Sequence, residues 1–139
     1  MAIRFFRFKR KINNNGIVVE KYMANMQKET TIDFEKMSEM IEKKSSMSRG
    51  DIMGILMEVE TVSADMLLLG HTIELGALGT LVPSMQATAC DTAEEVTSQT
   101  IKRFYPIFKP SKYLKKKFKE AVFHLGDNKV REVRYKKKD

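Results

Sequence analysis

Residues 100–121 read TIKRFYPIFKPSKYLKKKFKEA, and they change from the pattern of a strand to that of a helix. The first part is rich in β-branched and aromatic residues, which favour strands. Pro110 then ends the strand pattern, and Ser111 is a residue type that caps helix starts. The stretch therefore predicts a strand over 100–108 that leads directly into a helix over 111–121.

The predicted helix separates its charges from its apolar side chains. At about 100° per residue, four lysines fall within an arc of about 100°. These are Lys112, Lys115, Lys116 and Lys119. Leu114, Phe118 and Ala121 fall on the opposite side, and we expect them to dock on the core. Like charges three and four residues apart repel, so an anion bound to this face would relieve a cost.

The net charge of +7 is distributed unevenly along the chain. Residues 1–49 carry a balance of +5, and residues 102–139 carry a balance of +10. Between Asp51 and Ile101 there are eight acidic residues and no Lys or Arg. Such polarity indicates one surface for a polyanion and another kept away from it. The cations of the predicted strand add to the helix face, and they are Lys102, Arg103 and Lys109.

The rest of the chain predicts an α+β fold. Residues 2–12 and 17–27 have the pattern of strands, and Asn15-Gly16 between them is typical of a tight hairpin turn. Helical spacing of apolar residues predicts one helix over 33–44 and a second from Ser48 to about Leu69. The remaining predicted elements are short strands over 71–82, a polar loop over 83–99 and a strand over 130–135.

The second predicted helix has more apolar surface than one small helix pair covers. Its apolar positions are Ile52, Met53, Ile55, Leu56, Met57, Val59, Val62, Met66 and Leu67. Two explanations stay open, namely burial against a second subunit and a wide core within one chain. After Arg49 this helix holds four acidic residues and no cation. That composition argues against a recognition helix that reads base edges.

Three segments resemble the HU/IHF histone-like DNA-binding proteins of bacteria. Residues 107–115, IFKPSKYLK, look like the family's FKPGKxLK segment, and residues 75–81, LGALGTL, are similar to its GFGTF strand entry. Residues 46–51, SMSRGD, resemble its GLSKAD-type turn. The resemblance implies an HU/IHF-like fold with a helix-turn-helix pair, an antiparallel sheet and a C-terminal helix. We predict one HU-like domain over 1–139, composed of an added N-terminal β-hairpin (1–29), a core (30–122) and a basic extension (123–139).

The same resemblance implies a homodimer whose sheet and third helices form a saddle on double-stranded DNA. By carry-over, Lys109, Lys112 and Lys115 contact phosphates. Arg49 joins them at the start of the second helix, where backbone N–H groups favour an anion. The predicted DNA-binding residues are thus Arg49, Lys102, Arg103, Lys109, Lys112, Lys115, Lys116 and Lys119.

The stretch that corresponds to the DNA-bending arm of HU departs from the family pattern. That arm carries arginines and the intercalating proline of an RNP motif. Here residues 82–99 hold Asp91, Glu94 and Glu95 and no cation, and Pro83 lies at the strand exit. We therefore expect sequence-tolerant binding with reduced bending. Two alternatives are an HU-fold assembly module that has lost DNA binding and attachment of the basic tail to an anionic membrane surface.

Other candidate sites are weaker. Residues 4–11 interleave aromatics and cations, as a platform for single-stranded nucleic acid does. Packing of alternate aromatics on the core, with the cations in water, is the favoured interpretation. His71, His124 and Cys90 are too scattered for a metal site, and no nucleotide-binding loop or catalytic triad is visible. We predict a protein that is not an enzyme and has no cofactor, no small-molecule substrate and no membrane partner. Its single cysteine favours the cytoplasm.

Overall fold

The computed structural model describes residues 2–132, which form three helices and two three-stranded sheets of an α+β fold. The strands are β1 (Ile3–Asn14), β2 (Ile17–Met26), β3 (Ile73–Glu74), β4 (Gly79–Ala87), β5 (Ile101–Pro110) and β6 (Phe123–Glu132). The helices are α1 (Phe34–Glu42), α2 (Arg49–Leu68) and α3 (Lys112–Lys119). The described residues divide into a hairpin unit (2–31 and 119–132) and a core unit (32–118). This division into units does not test whether residues 1–139 form one HU-like domain, which stays a prediction.

The hairpin unit is a sheet with the strand order β2-β1-β6. The β1–β2 hairpin was predicted and is confirmed, with its turn at Asn15-Gly16. Strand β6 pairs with β1 in parallel and begins at Phe123, earlier than the predicted strand. Between Leu125 and Val130 the register of β6 with β1 shifts. The end of the predicted strand, 133–135, and the basic tail lie outside the described residues.

Both long helices begin where the sequence predicts. The Asp33 carboxylate accepts a hydrogen bond from the Lys36 N–H at 2.8 Å, and it caps α1. The Ser48 hydroxyl accepts one from the Asp51 N–H at 3.2 Å, and it caps α2. A side-chain oxygen at this position satisfies an N–H group that has no partner within the helix.

The sheet of the core unit has the strand order β3-β4-β5, and all its pairs are antiparallel. Its register separates two faces. One face, called the polar face, holds Thr80, Ser84, Gln86, Arg103, Tyr105 and Lys109 together with the apolar pair Val82 and Ile107. The apolar face holds Leu81, Pro83, Met85, Phe104, Pro106 and Phe108. The prediction of a loop from residue 83 is wrong, because β4 stays paired with β5 as far as Ala87.

Very little of α2 is buried within a single chain. Ile52 is 4% exposed, but most other large apolar residues of the helix region are about half exposed or more. These are Ile55, Met57, Val59, Val62, Leu68 and Leu69. A wide core within one chain, one of the two explanations offered by the sequence, is therefore wrong. Among residues 2–132, no helix combines the length and the apolar character needed to cross a membrane.

Candidate nucleic-acid interface

Ser111 fixes the start of α3 to the core sheet. Its backbone N–H donates a hydrogen bond to the Leu78 carbonyl at 3.1 Å, and its hydroxyl donates one to the Ala77 carbonyl. The same hydroxyl accepts the Leu114 N–H at 3.0 Å, which caps the helix. One residue thus joins the first turn of α3 to the turn that precedes β4, so the direction in which α3 leaves the sheet is set locally.

Gly79 allows β4 and β5 to approach each other at this junction. It lies opposite Pro110, and its φ of 147° is one that side chains with a Cβ rarely adopt. A Cβ built there would overlap the Lys109 carbonyl oxygen and lie 2.9 Å from the Pro110 Cα. Because Gly79 has no side chain, the end of β5 can lie close to β4 immediately before α3.

The exposed face of α3 carries the predicted lysines. They are Lys112, Lys115, Lys116 and Lys119, all exposed, and none forms an ion pair with any residue between 2 and 132. Leu114 is half-buried, as expected. The expected docking of Phe118 is wrong, since its side chain is 74% exposed. Ala121 lies past the end of the helix, so the predicted apolar side is shorter than the sequence suggested.

The three cations of β5 do not share one position in the sheet. Arg103 lies opposite Gln86 and Lys109 lies opposite Thr80, so both belong to the polar face. Lys102 lies at a register shift, where it has no partner across the strand pair. Arg103 and Lys109 are six positions apart, which corresponds to about 20 Å along a strand. The polar face therefore offers two cations at well-separated points rather than a cluster.

Arg103 is held in place by its neighbours. Its guanidinium carbon lies 4.2 Å above the centre of the Tyr105 ring, within the range of a cation–π interaction. Hydrogen bonds from the Ser84 and Arg103 side chains lower the pKa of the Tyr105 hydroxyl. Both contacts order the guanidinium on the polar face.

Arg49 differs from the other predicted site residues because acidic groups already surround it. Its guanidinium forms an ion pair with Glu35 at 2.8 Å. Its backbone N–H donates to the Glu42 carboxylate at 3.2 Å, and Ser48 caps the same helix end. A phosphate at this position would have to compete with two carboxylates of the same chain, so the geometry supports Arg49 less than the other predicted contacts.

Comparisons with known proteins agree with the resemblance seen in the sequence. Residues 1–124 match the model of the HU-HIG family, described as "HU domain fused to wHTH, Ig, or Glycine-rich motif". A crystal structure from Bacteroides vulgatus ATCC 8482, described as a "putative bacterial DNA binding protein", is similar with a TM-score of 0.56 and 16% identity. The similarity covers 96% of this chain and 50% of that one, and at this identity it concerns the fold alone. No curated protein matches the chain. Because the family match includes the N-terminal hairpin as well as the core, the chain belongs to the HU-HIG family of HU-domain proteins.

Proposed function

We propose that this protein binds double-stranded DNA without sequence specificity, as a non-enzymatic architectural protein of the bacterial nucleoid in the cytoplasm. The family membership and the fold of the similar crystal structure support this proposal. The observation that carries it is the lysine face of α3, a group of exposed cations that have no acidic partner within the described residues. The proposed contacts are Lys112, Lys115, Lys116 and Lys119, then Arg103, Lys109 and Lys102, with a smaller contribution from Arg49.

The chemistry of these residues suits phosphate rather than bases. Lysine ammonium groups and the Arg103 guanidinium bind phosphate oxygens and displace condensed counterions, which gives affinity without reading sequence. Binding would also relieve the repulsion among lysines that lie three and four residues apart on α3. The N-terminus of α2, which the sequence suggested as a phosphate site, already has acceptors within the chain. The Ser48 hydroxyl accepts the Asp51 N–H, and the Glu42 carboxylate accepts the Arg49 N–H.

We further propose a homodimer in which α2 is the main contact. A groove of about 830 Å³ runs along α2, and Ile55, Val59 and Val62 line it together with the small residues Gly50 and Gly54 and the carboxylates of Asp51, Glu58 and Glu74. Apolar side chains around such a groove fit the helix of a second copy, since burial of apolar surface is the main favourable term in association. A two-fold dimer would also present the lysine face twice.

The proposed binding involves little DNA bending. The β4–β5 ladder ends at Ala87 and Ile101, followed by one hydrogen bond from the Thr88 N–H to the Thr100 carbonyl, and residues 88–100 contain no strand that would continue it into an arm. The loop that joins them carries Asp91, Glu94 and Glu95, all exposed, and no cation. Negative charge at this end of the sheet would be repelled by phosphate.

The same acidic loop favours a second candidate function, an assembly module that binds proteins and not DNA. Salt dependence separates the two. In a fluorescence-anisotropy titration of a 30-base-pair duplex between 50 and 200 mM salt, neutralisation of about five phosphates predicts a log–log slope of about −4 to −5. The assembly module predicts no binding beyond that of a flexible lysine peptide of equal charge. A slope near zero would reject the electrostatic mechanism.

A further inference from the structure

The outer half of the N-terminal hairpin is a two-stranded ribbon that no other described strand covers. Strand β6 pairs with β1 only from Ile3 to Lys9. Beyond that point β2 is the only strand among residues 2–132 that pairs with β1, from Arg10 opposite Lys21 to Asn14 opposite Ile17. Residues 10–21 are called the outer ribbon, and every one of them is exposed.

The outer ribbon carries positive charge that the described part of the chain does not balance. Arg10 and Lys21 lie directly opposite each other, an arrangement that destabilises a strand pair. Glu20 is the single acid of the ribbon, and Lys9 holds it at 2.6 Å. This hydrogen bond lowers the pKa of Glu20 and raises that of Lys9. Lys11 lies opposite Glu20 and also lowers its pKa, whereas no acidic residue lies opposite Arg10 or Lys21. None of the three cations forms an ion pair among residues 2–132.

The tip of the ribbon is a tight and ordered turn. Asn15 and Gly16 have φ values of 52° and 85°, and the Asn13 side chain accepts the Gly16 N–H at 2.9 Å. Positive φ at both central residues is the geometry that matches the twist of a hairpin. Just behind this turn, Ile17 is 69% exposed and Val18 is 62% exposed. The result is a narrow arm with apolar side chains at its end and cations along its sides.

This combination points to duplex DNA rather than to a protein surface. Two strands lie about 5 Å apart, and the major groove of B-DNA is about 12 Å wide and admits a two-stranded ribbon. A polyanion would relieve the repulsion between Arg10 and Lys21, whereas an apolar protein surface would increase it by removing water from both charges. We propose that the outer ribbon inserts into the major groove as a second DNA contact, with Arg10, Lys11 and Lys21 on the flanking phosphates. This inference rests on the proposed function.

The test uses the full chain with R10Q/K11Q/K21Q. These substitutions remove cross-strand repulsion, so the hairpin should stay folded, which circular dichroism checks. Each lost phosphate contact makes the slope of log K against log salt shallower by about 0.9, so the slope changes by about 3 for each ribbon that engages the duplex, and affinity at 100 mM salt falls at least tenfold. The charge-preserving R10K/K11R/K21R should keep the wild-type slope. Protection of guanine N7 from dimethyl sulfate, a major-groove readout, should disappear in the Gln variant alone.

A matched control separates this surface from net charge. K28Q/K44Q/K129Q removes three exposed lysines that lie outside the outer ribbon and α3, and it should keep the wild-type slope. An unchanged slope in R10Q/K11Q/K21Q, while K112Q/K115Q/K116Q loses affinity, would overturn this inference and leave the proposed function standing. A shallower slope in R10Q/K11Q/K21Q, with unchanged affinity in K112Q/K115Q/K116Q, would support the outer ribbon as a DNA contact and remove α3 from the site. A wild-type chain that does not bind DNA would overturn both.

Discussion

Helices α2 and α3 are both largely exposed in the single chain, but they expose opposite kinds of surface. Over its 20 residues α2 has no cation after Arg49, and large apolar side chains such as Ile55 and Val62 are about half exposed. Over its eight residues α3 has five lysines and half-buries only Leu114. Exposed apolar surface is stabilised by another apolar surface, and clustered cations are stabilised by anions. The difference supports the two partners proposed above, a second copy of the chain for α2 and DNA for α3.

The comparison also explains why DNA binding through α3 would depend on dimer formation through α2. A single lysine face supplies few phosphate contacts, and each contact contributes a slope of about −0.9. If α2 joins two chains, both lysine faces act on one duplex, and the effective concentration of the second face raises the affinity. Breaking the α2 contact should therefore weaken DNA binding although α2 offers phosphate no cation beyond Arg49.

The largest expected effect follows from a charge placed in the α2 groove. Val59 lines this groove and is 47% exposed in the single chain. In V59E an unpaired carboxylate would have to be buried in the dimer, which costs several kcal/mol. We expect sedimentation to show a monomer at micromolar concentration and DNA affinity to fall on the order of a hundredfold.

The matched control is T61E, which adds the same charge to an exposed position of α2 outside the groove. The Thr61 hydroxyl only donates a hydrogen bond to the Met57 carbonyl of the same helix. This variant should stay dimeric. A dimeric V59E, or equal dissociation of both variants, would contradict the assignment of α2 to a second copy.

A smaller effect is expected at the junction of the core sheet and α3. In G79A the added Cβ overlaps the Lys109 carbonyl oxygen and crowds Pro110. Moving the end of β5 should lower the free energy of unfolding by about 2–3 kcal/mol, as measured by urea denaturation. G70A provides the control, because Gly70 also has positive φ (88°) but nothing lies within 4 Å of its Cβ position. Equal losses in the two variants would show that the close approach at Gly79 contributes nothing.

The smallest effect concerns the ordering of Arg103. Y105A removes the ring beneath the guanidinium, and the loss of a cation–π interaction of about 0.5–1 kcal/mol should weaken DNA binding two- to fivefold. Y105F keeps the ring but loses the hydrogen bond of the hydroxyl, so it should weaken binding less than Y105A does, as anisotropy titration would show. Equal weakening in both variants would mean that the hydroxyl, rather than the ring, positions Arg103.

The local parts of the fold were predictable because local chemistry determines them. The Asn15-Gly16 turn, the caps at Asp33 and Ser48 and the passage from β5 into α3 at Ser111 each depend on a few consecutive residues. The resemblance to the HU/IHF family rested on the same short segments, and the family match confirms it.

The remaining features depend on residues that are far apart in the chain. Strand β6 pairs with β1 in parallel, with Phe123 opposite Ile3, and neither segment has a sequence feature that predicts its partner. The exposure of Phe118 and the ion pair between Arg49 and Glu35 follow from how elements pack, which spacing alone does not reveal. The sequence placed Arg49 among equal site residues, whereas the structure gives it an acidic partner.

The most direct test of the account is charge reversal on α3. K112E/K115E/K116E keeps good helix formers in α3 but makes its exposed face acidic. We predict that this variant loses measurable binding to the 30-base-pair duplex at 100 mM salt, while K28E/K44E/K129E, with the same change in net charge, retains most of its affinity. Wild-type affinity in the α3 variant, with helix content unchanged by circular dichroism, would contradict the claim that this lysine face binds DNA.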